Sequence, residues 1–230
     1  MMVLVERDRQ ILEFMANWAF VVSEQVQEYM GMSAQMSWRR LARLTELGLV
    51  TYSKTLNFPR KFYFVSREGL EYLGFPAENS PKGVKLAQLE HDKTLVDIAI
   101  DFHRRNPGYE IFGENKMRRL DMSALANDDA AIFSLNRFVG GRSVQVFPDM
   151  VAKKDSAMFY IEYEHSPKDR KRLHSLMTGY ANSPKVTAVK YYVAPAAWVR
   201  VSDVYDSLKN DLPLVGGKPK IQVALYEGGK

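Results

Sequence analysis

The chain has no cysteine among its 230 residues. Disulfides, cysteine-based zinc fingers and thiol nucleophiles are thereby excluded, and metal ligation falls to His, Asp and Glu. Histidine is scarce as well: His91, His103, His165 and His174 are the four present, and they stand at no metal-binding spacing, so each is read as a surface or packing residue. No apolar run approaches the roughly 20 residues that a membrane-spanning helix needs. The start Met-Met-Val-Leu-Val-Glu-Arg is too short an apolar stretch for a signal peptide. A cytoplasmic location without a membrane partner is therefore expected. With 46% hydrophobic and 26% charged residues, the chain has the composition of an ordinary folded protein, with room for one large core or two smaller ones.

A net charge of +5 over the whole chain permits an anionic partner without identifying one; its distribution says more. Residues 33 to 61 hold Arg39, Arg40, Arg43, Lys54, Arg60 and Lys61 against Glu46 alone, a local charge of +5, whereas residues 1 to 80 carry nine basic and nine acidic side chains. Within the basic stretch Met36, Leu41, Leu44 and Leu47 follow helical spacing, with the arginines largely on other faces. Met36 and Trp38 are read as core. Gly48 is placed to end the helix as a left-handed C′ residue. Leu49–Lys54 and Arg60–Val65 read as two strands joined across Asn57-Phe58-Pro59, with the aromatics at 62 to 64 packing the hairpin.

Upstream, Ile11, Leu12, Phe14, Met15 and Trp18 make an apolar stripe with Asp8 near its start, and Ser23 with Gln27 suggests a capped second helix turning at Gly31-Met32. Ser66–Leu73 closes the unit as a short helix. Helix, helix, turn, helix and hairpin is the order of a winged helix-turn-helix, so residues 1–73 are expected to form a double-stranded DNA-binding domain. Ser37, Arg39, Arg40, Arg43, Lys54, Arg60 and Lys61 are its expected DNA-binding residues. Arg39 and Arg40 suit base edges, while Lys54, Arg60 and Lys61 suit phosphates or the minor groove.

Residues 74–84, rich in Gly, Pro, Asn and Ser, read as a linker. A mixed α/β domain is expected over 85–230. It opens with a helix from 86 to 105 that Asn106-Pro107-Gly108 ends. Strands are expected at 109–112, 143–151, 157–163, 186–194 and 220–226, with helices over 168–181 and 199–208. The stretch Asp121–Asn136 is assigned no element. Glu162 and Glu164 stand two apart on an expected strand and so share a face, and a hairpin partner can bring Asp149 beside them. Clustered carboxylates of this kind can hold Mg²⁺ and activate water for phosphodiester cleavage.

Val146-Phe-Pro-Asp149 followed by Phe159-Tyr-Ile-Glu-Tyr-Glu164 resembles the paired strands of the PD-(D/E)xK nuclease superfold. The resemblance implies Asp149 and Glu162 as metal ligands and a lysine two residues after Glu162. That position is Glu164 here, a reversal of charge, and Lys168 or Lys171 on the next element is the available replacement. Taken with Leu89-Glu-His-Asp92 and Tyr180, residues 5 to 195 resemble the plasmid replication-relaxation and mobilisation-accessory family, whose members join an N-terminal winged helix to a nuclease-like domain. The expected fold class is therefore α+β, an N-terminal winged helix-turn-helix followed by a mixed α/β nuclease-like domain. The expected role is a sequence-specific DNA-binding regulator or accessory factor for mobilisation or replication, acting as a homodimer and able to dock a relaxase or replication protein. Its second domain is expected to serve assembly, with no cofactor. The alternative is a Mg²⁺-dependent endonuclease that uses Asp149, Glu162 and Glu164.

Overall fold

A computed structural model describes residues 4–55, 58–75, 83–139 and 141–228. The chain is a mixed α+β protein that divides into two compact units, residues 1–104 and 105–230. Of the expected linker, 76–82 lies outside the described residues. The helix expected to open the second domain is grouped with the first unit instead.

In the first unit three helices, α1 (Glu6–Met15), α2 (Ser23–Met30) and α3 (Ala34–Glu46), precede a hairpin of β1 (Val50–Thr55) and β2 (Phe58–Val65) and a short helix α4 (Arg67–Tyr72). Helix α5 (Leu89–Arg105) follows a single 3-10 turn at Leu86–Gln88. Ile11, Leu12, Val26, Leu41, Leu44 and Leu70 are fully buried, and each such aliphatic side chain contributes roughly 1.5–3 kcal/mol on leaving water. The cap of α2 falls one residue earlier than expected. Val22 is the extended N-cap residue, and it is Gln25, not Gln27, that reaches back, its Oε1 accepting from Val22 N at 3.0 Å. The amide of Gln25 then donates to Lys93 O and Asp97 Oδ1, at 3.0 and 2.6 Å, which fastens α5 to α2.

Ser33 caps α3, its Oγ accepting from Met36 N at 3.3 Å, and Gly48 follows the helix with φ +72°. Strands β1 and β2 pair antiparallel, and Val21 adds an isolated bridge to Tyr63. Phe58 and Pro59, expected in the turn, belong to β2, and Asn57 lies outside the described residues. Phe62, Tyr63 and Phe64 are buried as expected. Gly69 in α4 is dictated by space: a Cβ there would lie 2.2 Å from Leu49 O.

The second unit is built on a five-stranded mixed sheet. Its strands are β3 (Glu110–Gly113), β6 (Met150–Lys154), β7 (Ala157–Glu164), β8 (Ala188–Val193) and β11 (Ile221–Leu225), and their order across the sheet is β11-β8-β7-β6-β3. The β3, β6 and β7 pairings are antiparallel, and β7, β8 and β11 run parallel. Parallel neighbours need crossovers, which α7 (Arg170–Asn182) and α8 (Pro195–Leu208) supply. A separate hairpin joins β4 (Leu135–Val139) to β5 (Arg142–Val146), and β9 (Leu214–Val215) pairs with β10 (Lys218–Pro219). The single strand expected over 143–151 is therefore two, interrupted at Phe147-Pro148-Asp149, where Pro148 lacks the N–H that a ladder requires.

The stretch without an expected element begins inside a helix, α6 (Glu114–Ala126). Asp121 on α6 is buried, and its carboxylate accepts from the backbone N–H groups of Ile132, Phe133 and Ser134 at 2.8, 2.9 and 2.8 Å. One side chain thus orders the loop after the helix. The core beneath the sheet centres on Tyr160, Met177, Tyr180, Tyr191, Val201 and Ile221.

Candidate nucleic-acid interface and buried acid cluster

Helix α3 divides its surface sharply. Ser37, Leu41 and Leu44 are fully buried, and Gln35, Trp38 and Arg39 are exposed. Ser37 turns inward, its Oγ donating to Ser23 O at 2.9 Å, so its hydroxyl joins α3 to α2. Arg40 is also committed within the fold: Nη1 lies 3.1 Å from Oδ1 of the fully buried Asp8. Asp8 in turn accepts from Val5 N at 3.2 Å at the start of α1. Arg43 is half-buried. Arg39 is exposed and makes no ion pair among the described residues. Trp38 is 60% exposed and Met36 40%. Both were expected in the core, but they lie off the Ser37-Leu41-Leu44 stripe that packs. An outward tryptophan beside an outward arginine is the feature missed from sequence, and the phase of that stripe was the signal for it.

On the hairpin, Lys54 is exposed and stands directly across from Lys61 in the β1–β2 register. Like charges at directly opposed strand positions repel. Lys61 finds partial compensation over the ring of Tyr52, 4.0 Å from its centroid. Arg60 has a loose contact with Glu24, 3.5 Å away and largely exposed on both sides.

In the second unit, β6 and β7 bring together the acids picked out from sequence. Asp149 precedes β6, and its Oδ2 accepts from Tyr163 N at 2.8 Å. Glu162 and Glu164 share a face of β7 and are both buried. Tyr180, from α7, donates a short hydrogen bond to Glu162 Oε1. Lys168, in the turn before α7, places Nζ 2.8 Å from Glu164 Oε1. Lys171 is elsewhere, in a cleft between α7 and α8 with Arg170, His174 and Asp203. Of the two lysines considered for the missing amine, Lys168 is the one at the acids.

The electrostatics follow from burial. Burial and the neighbouring Asp149 push Glu162 well above the usual carboxylate range, against the opposing pull of Lys168 and the Tyr180 hydrogen bond. Burial draws the Lys168 ammonium down, but Glu164 and Glu162 outweigh it and the net displacement is upward. Tyr191, opposite Glu162 on β8, is fully buried, and its hydroxyl has no hydrogen-bond partner among the described residues. Burial and then Glu162, Glu164 and Asp149 push it up. No group of three or more His, Asp or Glu side chains among the described residues is arranged to hold a metal ion.

His165 Nδ1 is 3.4 Å from the Tyr163 hydroxyl. His91 pairs with Asp92, and His103 packs on Tyr29. Among the described residues, no helix is long and apolar enough to cross a membrane. No protein-family model matches the chain, and no curated protein matches it.

Proposed function

We propose that this chain is a sequence-specific double-stranded DNA-binding protein, a regulator or accessory factor in the replication or mobilisation of a mobile element. Its first unit is a winged helix-turn-helix, with α3 as the recognition helix and β1–β2 as the wing. One observation carries this reading. Helix α3 buries Ser37, Leu41 and Leu44 while presenting Trp38 and an uncommitted Arg39 to solvent. Arg39 would read a base edge in the major groove, and a bidentate arginine contact to guanine discriminates by about 1–3 kcal/mol. Lys54, Lys61 and Arg60 on the wing would hold phosphates, and a phosphate would relieve the opposition of Lys54 and Lys61. Arg40 and Ser37 support the helix from beneath.

One such unit reads a short site. A homodimer on two half-sites about 34 Å apart, or a multiple of that, would supply useful affinity. The second unit is the candidate for that pairing, or for docking a relaxase or replication protein. In this reading its acids are structural, because Lys168 already supplies the positive charge that Glu164 requires.

The same lysine favours a second reading, a Mg²⁺-dependent endonuclease with a nuclease-like second unit. Lys168 would restore the amine absent at position 164. Asp149 and Glu162 would hold the cation, whose chemistry would be to polarise a phosphodiester and acidify water. The carboxylates fit this in part, since each already accepts a hydrogen bond or an ion pair from the chain. Selection of bound duplexes followed by a salt-controlled shift assay tests the first reading, with loss of discrimination expected for Arg39→Ala. Plasmid nicking with Mg²⁺ or Mn²⁺, wild type against Asp149→Ala, tests the second.

A further inference from the structure

The basic stretch of residues 33 to 61 is balanced by acids elsewhere in its unit, so the chain's net positive charge lies in the other unit. Residues 1–104 carry 13 basic and 13 acidic side chains, and residues 105–230 carry 19 and 14. The whole net charge of +5 therefore belongs to the second unit. Three of that unit's acids, Asp121, Glu162 and Glu164, and two of its bases, Arg119 and Lys220, are buried, which shifts the balance of its remaining charged side chains by one further positive charge.

The densest basic run in this unit is Lys168-Asp-Arg-Lys-Arg-Leu-His174. Asp169 is spent as the cap of α7, accepting from Arg172 N at 3.0 Å, and Lys168 is spent on Glu164. Arg170, Lys171 and Arg172 are all exposed on the first turn of α7. Arg170 pairs with Asp203 of α8 at 2.7 Å, while Lys171 and Arg172 have no acidic partner among the described residues. Arg170, Lys171 and His174 line one side of a cleft of about 380 Å³ whose other side is Asp203, Val204 and Ser207 of α8.

Folding alone does not call for this arrangement. A helix start carries partial positive charge and favours acids, so three cations there raise the electrostatic free energy of the isolated fold. A merely solvated face could use Glu or Gln at the same positions. The arrangement gains when a polyanion lies across it, because each cation then neutralises a phosphate and releases condensed counterions.

We propose that the first turn of α7, with Lys171 and Arg172 as its principal contacts and Arg170 beside them, is a second nucleic-acid surface that holds the phosphodiester backbone without reading sequence. The ligand is nucleic acid duplex, and the contacts are ionic. The inference rests on the reading of the chain as a DNA-binding protein and adds a task to the second unit: it grips DNA flanking the site that α3 reads. Affinity would then be divided between a discriminating unit of zero net charge and a non-discriminating unit of net charge +5.

The test is fluorescence anisotropy of the full chain with a labelled duplex of scrambled sequence, titrated over a series of salt concentrations. Lys171→Gln/Arg172→Gln is compared with wild type and with Lys209→Gln, a control lysine already paired with Asp206. Loss of two phosphate contacts should shrink the slope of log affinity against log salt by about 1.8, with Lys209→Gln unchanged. Discrimination between selected and scrambled duplexes should persist in the double variant. An unchanged slope in the double variant overturns the proposal, as does an equal loss in Lys209→Gln. Should the double variant fail to fold, amine-reactive footprinting of the wild type decides. Protection of Lys171 by duplex, with Lys209 still reactive, supports the surface. A Lys171 that stays reactive rejects it and leaves the basic turn to an acidic protein partner. Failure of the winged-helix reading is a separate outcome, seen as absence of discrimination in the wild type.

Discussion

Lys54 and Lys61 face each other across the β1–β2 hairpin, like charges in direct register. The contact of Lys61 with the Tyr52 ring offsets this only in part, because Lys54 is exposed and has no such partner among the described residues. A hairpin selected for stability alone would place an acid or a threonine at one of the two positions.

Lys54→Glu should therefore stabilise the chain slightly, by about 0.2–1 kcal/mol, while weakening binding to every duplex tested. Urea unfolding measures the first effect and anisotropy the second. Stability and affinity moving in the same direction would argue against a phosphate contact at this pair.

Arg39 and Arg40 are neighbours in sequence with opposed consequences. Arg40→Ala strands the fully buried Asp8. Removing one partner of a buried pair costs about 3–5 kcal/mol, and the partial exposure of Arg40 brings the expected loss to about 2–3 kcal/mol. Arg39→Ala should change stability by less than about 0.5 kcal/mol. Thermal unfolding of the two variants side by side checks this, and equal losses would contradict the roles assigned.

Much of the first unit was legible in its sequence, because apolar stripes and turn residues agree there: Leu41 and Leu44 go inside, Gly48 ends α3, and Ser66 opens α4. The direction of Trp38 was missed, although the phase of the stripe carried it. Hydrophobicity alone sends a tryptophan inward, and only the phase set by Ser37, a polar residue hidden by its bond to Ser23, sends it out. In the second unit the strand carrying Glu162 and Glu164 was legible from alternation and spacing, but the break at Phe147-Pro148-Asp149 inside the strand expected over 143–151 was not. The loop after α6 was not, since its order comes from one carboxylate, Asp121, holding three N–H groups from 11 to 13 residues away. The use of Lys168 depended on where the turn before α7 lies, which pattern does not supply. Helix α5 packs on the first unit through contacts far apart in sequence, Gln25 with Lys93 and Asp97, Glu28 with Arg104 and Tyr29 with His103, which local pattern does not supply.

Lys168→Met should destabilise the second unit by about 2–4 kcal/mol, because Glu164 is left buried without its ammonium. Adding Glu164→Gln should recover most of the loss, since the buried charge is then gone as well. Urea unfolding of the single and double variants provides the comparison. A double variant as unstable as Lys168→Met would show that the lysine stem, rather than its charge, supports the fold.

Glu162 sets a pH dependence of definite sign. Its folded-state pKa lies well above its ordinary value of 4.5, so the folded chain favours the protonated carboxyl. Its ionisation withholds stability progressively as pH rises from the ordinary carboxylate range through the raised value. Glu162→Gln keeps an acceptor for the Tyr180 hydroxyl and removes the charge. The variant should match wild type near pH 4 and melt at a higher temperature at pH 8. A variant that melts lower than wild type at pH 8 would mean that the carboxylate is wanted in its charged form, as the cation-holding reading of Asp149 and Glu162 requires.

In the proposed reading, Arg39 on α3 reads DNA while Arg40 and Ser37 hold the helix in place. A shift assay at fixed salt, comparing a duplex selected by the wild type with a scrambled one, tests this most directly when run on wild type and Arg39→Ala. The wild type should strongly prefer the selected duplex, and Arg39→Ala should lose about 1–3 kcal/mol of that preference. A wild type that binds both duplexes equally, or an Arg39→Ala variant that retains the full preference, would contradict it.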